Sequence, residues 1–340
     1  MRGTFVAVLF VGRVALAAEL PLGVRTMDFF GYRDCPAIEN AETRVILSPQ
    51  RGGMVLAYAW QGKEAIPLLP GQEGWTWKPG DRVTIDPYGG RFDIGPEYMI
   101  PPRPALFYGP WQWEATGARA VRLTSPPDES TGVQLIRDFR LAATGSHLRC
   151  TQIIRNVSDR VQPWCHWSRT FGLGDGICVV PLNPQSRFPR GYVTYGPGSV
   201  INFAPEPHAN VRVRDGCLEI RGNPPYPKFG LDTEAGWLAY AMPNDILFVK
   251  RFPVYHNRVY NEIAAITVSI FYWPPQGTDP AGTTIPLPFC ELEPIGPRSD
   301  VRPGKSVSFT EDWWLLPFAF PQDRELDLHA LRACVAGTAR

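Results

Sequence analysis

A histidine and two glutamates carry the clearest chemical signal in the chain. His166 stands in the run Trp164-Cys165-His166-Trp167-Ser168, which reads as a strand with Trp164, His166 and Ser168 on one side. Imidazole titrates near neutrality and serves as general acid or base. Glu291 and Glu293 lie at i and i+2 in Phe289–Glu293, with Cys290 and Leu292 turned away. Their backbones are then about 6.5–7 Å apart on one strand face. Two carboxylates facing one cleft push their pKa values apart and leave one as a base. Glu293 is slightly favoured, being nearer the Pro294-Ile295-Gly296-Pro297 turn, and Glu291 stays open. The competing readings are a structural histidine bonded within the sheet and a solvated glutamate pair.

Other side chains could support such a pair. Arg51 and Arg91 adjoin glycine-rich turns, and a guanidinium donates several hydrogen bonds in fixed geometry. A surface ion pair is the alternative for each. Trp75, Trp77, Trp111 and Trp113, with Tyr88, offer stacking faces, although core packing is an equal use for any one of them. They fall in Glu73–Trp113, a proline-broken stretch that reads as a long aromatic loop. No GxSxG, Walker or GxGxxG motif appears in the right context. Cysteine and histidine spacing supports no metal site, and nothing calls for a cofactor. A glycosidase needs two carboxylates set across a scissile bond, and both glutamates here come from one strand.

The elements that must position these groups are strands. The chain has 340 residues, 44% of them apolar, with 36 Pro and 32 Gly spread between apolar runs. A net charge of +1 gives no general reason to bind nucleic acid or acidic lipid. Strand signal covers Arg44–Leu47, Met54–Trp60, Lys63–Ile66, Val133–Leu141, Leu148–Arg155 and Val161–Phe171. It continues in Asn210–Val213, Cys217–Ile220, Trp237–Ala241, Ile246–Phe252, Ile263–Tyr272, Phe289–Glu293 and Ser306–Leu315. Gln61-Gly62 reads as a two-residue hairpin loop. So many antiparallel strands require two packed sheets, hence an all-β fold. Glu325–Val335 reads as one short C-terminal helix.

Residues 1–18, with a basic start, an apolar run and Ala15-Leu16-Ala17-Ala18, read as a signal peptide, which implies a periplasmic or extracellular protein. No later segment reads as a membrane span. Seven cysteines leave either one or two disulfides or buried thiols.

Several segments follow one another in order: Val45–Val55, Asp86–Phe92 with Gly95-Pro96-Glu97, Gln152–Asn156 with Trp164–Trp167, Phe248–Phe252, Cys290–Pro297, Arg302–Ser306 and Glu311-Asp312-Trp313. Together they resemble the galactose mutarotase-like supersandwich, and within it a secreted bacterial branch. The resemblance implies a β-sandwich over residues 43–320, after a lead-in at 19–42 and before a tail at 321–340. It implies a sugar cleft on one sheet face, a histidine acid and a C-terminal glutamate base. Lys228, Asp232 and Lys250 are near strands that flank the cleft in that family. The implied activity is that of an aldose 1-epimerase-like isomerase: a base takes the anomeric proton, an acid protonates the ring oxygen, and the ring opens and recloses. The chain departs from the pattern in two respects: His166 is followed by Trp167-Ser168-Arg169 where the family has Pro-Phe, and no second histidine stands in an Asn-His or His-Pro setting ahead of it. The only histidine ahead of His166 is His147, in a turn. The alternative is therefore a non-catalytic glycan-binding or structural module of the cell envelope.

Overall fold

A computed structural model describes residues 19–82, 87–196, 200–222, 224–273 and 287–339. The signal-peptide reading of residues 1–18 lies outside the described residues. Turn chemistry sets where strands end. Gln61 and Gly62 have φ of 49° and 79°, and Asp215 and Gly216 have 49° and 70°. Two successive left-handed residues match the twist of the strands they join.

The strands form two antiparallel sheets, of thirteen and ten strands among the described residues. The centre of the first runs Met54–Trp60, Gly90–Gly95, Gln162–Leu173, Phe289–Pro294, Val268–Trp273, Lys228–Leu231 in spatial order. The centre of the second runs Ile177–Pro181, Trp237–Met242, Ile246–Arg251, Ser306–Pro317, Leu148–Asn156, Val133–Leu141. The fold is thus all-β, as expected, with a C-terminal helix at Leu328–Ala336. Asp327 caps this helix by accepting from the Ala330 N–H at 2.9 Å. Its Leu328, Leu331 and Val335 bury against Val179, Ala239, Leu247 and Val249 of the second sheet. Val24–Phe29 and Tyr32–Glu39, within residues 19–42, are paired strands that extend the first sheet.

The stretch read as one long aromatic loop is more structured than expected. It contains the Gly90–Gly95 strand and a short helix at Pro104–Tyr108, and leads into the Gln112–Gly117 strand. Near its start, Pro at the first helical position costs no hydrogen bond, so proline opens this helix instead of forbidding it.

Between the sheets lies an aromatic core that includes Tyr58, Phe248 and Trp313, with ring centroids 5.6–6.1 Å apart. Inside it sits a polar cluster. Lys250 Nζ donates to Ser168 Oγ at 3.0 Å, Thr170 Oγ1 at 2.9 Å and the Leu292 carbonyl at 2.8 Å, and faces Glu311 Oε2 at 3.1 Å. Glu311 also accepts from Gln152 and Trp313. Both charges are fully buried. Burial pulls the Lys250 amine below its ordinary pKa, and the Glu311 carboxylate opposes that. Lys250 was expected to bind substrate. It is instead a tie between sheets, because its strand alternation points it inward. All seven cysteines are free thiols, six of them buried. No helix among the described residues is long and apolar enough to cross a membrane.

Candidate functional site

Strand parity decides which groups share a face. In the first sheet His166 pairs with Ile94 and Ser168 with Phe92, whereas Trp167 pairs with Asp93 and Arg169 with Arg91. Antiparallel partners project to the same side. The even positions of this strand therefore face the second sheet. His166 is sandwiched between Phe92 at 5.8 Å and Phe309 of the second sheet at 5.7 Å. It is 1% exposed, and its Nε2 has no hydrogen-bond partner among the described residues. Burial drives its pKa down to about 3, against a smaller opposing effect of the Val307 and Gln152 backbone. His166 is a neutral core side chain.

Glu291 and Glu293 project from the opposite face. Glu291 pairs in register with Phe171 and Phe271, and Glu293 with Ser269. The expected meeting of His166 with these carboxylates does not occur, because the sheet itself separates them. The odd positions of the same strand meet them instead. Arg169 Nη2 reaches Glu291 Oε1 at 3.2 Å, and its Nε is 3.4 Å from Glu293 Oε1. Arg91 Nη2 is 3.4 Å from Glu291 Oε1, with its guanidinium over Phe107 at 4.6 Å. Both glutamates are buried, at 3% and 1% exposure.

A cavity of about 120 Å³ opens here, lined by Glu97, Trp167, Arg169, Lys228, Phe271, Trp273, Glu291 and Glu293. Lys228 Nζ hangs over the rings of Trp167 and Tyr195 at 5.3 and 5.1 Å and binds Glu97 Oε2 at 2.6 Å. Gly230 makes room for Tyr195: a Cβ there would stand 3.0 Å from the Tyr195 hydroxyl. Trp167 Nε1 and Glu293 Oε1 are buried without a hydrogen-bond partner among the described residues. So is Ser269 Oγ, directly across the ladder from Glu293. Buried donors and acceptors are nearly always satisfied. Orphan ones beside a cavity mark where an incoming polar group gains most.

Of the remaining expected residues, Arg91 and Lys228 join this site. Tyr88 does not line the cavity; it is buried edge-on to Phe171 and Phe289 at 5.2 and 5.0 Å, in a cluster against which Phe271 and Trp273 pack. Arg51 is buried elsewhere, donating to the Tyr88 carbonyl at 2.6 Å with its guanidinium over Tyr32. Trp75 packs edge-on to Tyr108. Trp111 is buried, its Nε1 bonded to the Leu106 carbonyl, and Trp113 packs on the main core from the second sheet. Asp232 is buried under a turn, accepting from Ser186 Oγ at 2.7 Å and the Arg187 N–H at 2.9 Å. These five do not line the cavity. Trp167, Arg169, Glu97, Phe271 and Trp273 do; of these, only Glu97 belongs to a segment, Gly95-Pro96-Glu97, that the resemblance places at a cleft. The available signal was charge complementarity: Trp167-x-Arg169 answers Glu291-x-Glu293.

No family model matches the chain, and no curated protein matches it in sequence. Solved structures do match in shape. A galactose mutarotase-like protein from Lactobacillus casei ATCC 334 is 12% identical with a TM-score of 0.54, over 83% of this chain and 100% of that one. The fold is galactose mutarotase-like. A protein of the same description from Clostridium acetobutylicum gives 10% and 0.54 over 88% and 99%. An Escherichia coli K12 protein carrying a provisional aldose 1-epimerase assignment gives 12% and 0.55 over 83% and 98%. At these identities the galactose mutarotase-like likeness is one of fold.

Proposed function

We propose that this protein binds a carbohydrate in the cavity between Trp167, Trp273 and the Glu291–Glu293 strand, without opening the sugar ring. The observation that carries this reading is an orphan donor, Trp167 Nε1, at the same aromatic-walled cavity as Glu293 Oε1, an acceptor held among the described residues only by a long 3.4 Å contact to Arg169 Nε. A sugar hydroxyl donates and accepts at once, which matches such a donor and acceptor in chemistry. Indole and phenyl walls stack on the apolar C–H face of a pyranose. The galactose mutarotase-like fold of the neighbours agrees with a sugar ligand.

Ring opening needs a base on the anomeric hydroxyl and an acid on the ring oxygen. Glu293 or Glu291 suits the first part. His166, the expected acid, faces the other side of the sheet. The cations lining the cavity are a guanidinium, Arg169, and an ammonium, Lys228, and its lining among the described residues includes no imidazole. Binding without turnover is the better match to this set.

Saturation-transfer NMR and calorimetry against a monosaccharide panel test the reading. Trp167→Ala is expected to weaken binding by about 30-fold, the usual loss for a buried tryptophan contact. Glu293→Gln is expected to lose about tenfold. Trp167→Phe, which keeps a ring but removes the N–H, should fall between. Polarimetry should show anomer interconversion at the spontaneous rate. Full binding by Trp167→Ala and Glu293→Gln would place the ligand elsewhere, and acceleration by the wild type would restore the isomerase reading.

A further inference from the structure

The charges around the cavity are not held equally. Arg91 and Arg169 face Glu291 and Glu293, which are nearly inaccessible. Asp93, on the same face, is taken by Arg103. Lys228 differs. Its side chain is 18% exposed and its ammonium is fixed above two ring faces, yet its partner Glu97 is 51% exposed. Glu97 lies just beyond the Gly90–Gly95 strand and is anchored through its backbone, its N–H donating to Glu262 Oε2 at 2.8 Å. The Glu97 side chain can leave without disturbing that anchor. Glu262 is no substitute for it: its carboxylate also takes the Ile263 N–H at 3.0 Å.

Three cations, Arg91, Arg169 and Lys228, meet three carboxylates, Glu97, Glu291 and Glu293. If Glu97 swings into water, the Lys228 ammonium loses its contact partner at the cavity mouth and keeps only the longer-range pull of the buried Glu262 carboxylate. An ammonium partly desolvated on aromatic rings gains strongly from a new anionic partner. We propose that the ligand is an acidic sugar, a hexuronate or a glycan ending in one, whose carboxylate displaces Glu97 from Lys228. The charge is conserved in that exchange, one carboxylate for another. A phosphate would bring close to two charges where one is released. This inference rests on the carbohydrate reading above.

Calorimetry compares glucuronate and galacturonate with glucose, galactose and galactose 6-phosphate. In the wild type, one uronate is expected to bind about tenfold or more tightly than its parent hexose, the span of a charge-assisted hydrogen bond. Lys228→Gln should abolish that preference and Lys228→Arg should keep it. Glu97→Gln should tighten uronate binding more than hexose binding, because no ion pair must be broken. A hexose bound as tightly as its uronate, or a preference that survives in Lys228→Gln, would overturn the acidic assignment while leaving the sugar reading intact. Tighter binding of the phosphate would overturn the carboxylate assignment alone. Binding of none of the five would remove both readings.

Discussion

Replacing Lys250 with Met is expected to cost about 3–5 kcal/mol of folding stability, as breaking one side of a buried ion pair does. The loss comes chiefly from the partner left behind. Glu311 would keep its bonds from Gln152 and Trp313 but lose its counter-charge in a site with no exposure. Ser168, Thr170 and the Leu292 carbonyl would each lose a donor from Nζ. Replacing both members, as Lys250→Met with Glu311→Leu, is expected to recover only part of the loss: two desolvation penalties vanish together, but the Gln152 and Trp313 donors and the buried Arg137 nearby lose the carboxylate. Urea unfolding of the single and double variants measures both numbers. A Lys250→Met protein within about 1 kcal/mol of the wild type would mean the pair contributes only packing.

Acid should destabilise the protein in part through His166. Its pKa in the folded state is depressed to about 3 by burial between Phe92 and Phe309. In the unfolded chain it returns to about 6.5. Between those values the unfolded state binds one more proton than the folded state, so stability rises with pH. The contribution is complete above pH ~6.5 and is lost as pH falls toward 3. At pH 4.5 the loss is roughly 2–3 kcal/mol. His166→Leu, close in volume, should stay within about 1.5 kcal/mol of the wild type at pH 7.5. It should unfold less readily than the wild type at pH 4.5. Parallel stability curves for the two proteins from pH 7.5 to 4.5 would show that His166 is not the group responsible.

The architecture was legible in the sequence because turn residues and period-two alternation punctuate it. Met54–Trp60 and Val133–Leu141 fall where the pattern puts them. Two features escaped. Val24–Phe29 and Tyr32–Glu39 alternate weakly, the first with exposed Arg25 and Thr26 in succession. Parity was the costlier omission. Nearly every residue of Gln162–Leu173 is covered on both faces, so alternation of polarity says nothing about which side is which. His166 and Trp167 are equally buried, and a one-position difference in phase puts an imidazole in the core and an indole in the cavity. The glutamate pair was legible, since Glu-x-Glu on one strand shares a face whichever way it points. Lys250 and Asp232 were expected at the cleft on the resemblance alone, and here both charges are spent on interior and turn bonds.

Arg91 and Glu291 stand 200 positions apart in the chain yet touch across the Gln162–Leu173 strand. Contacts of such long sequence separation are slow to form, because the entropy of closing the intervening loops falls due before any contact repays it. On a growing polypeptide the cavity cannot exist until Phe289–Pro294 has been synthesised, whatever the earlier strands have done. A ligand recognised by this constellation therefore acts as a late clasp on strands already made, and cannot serve as a template on which folding begins.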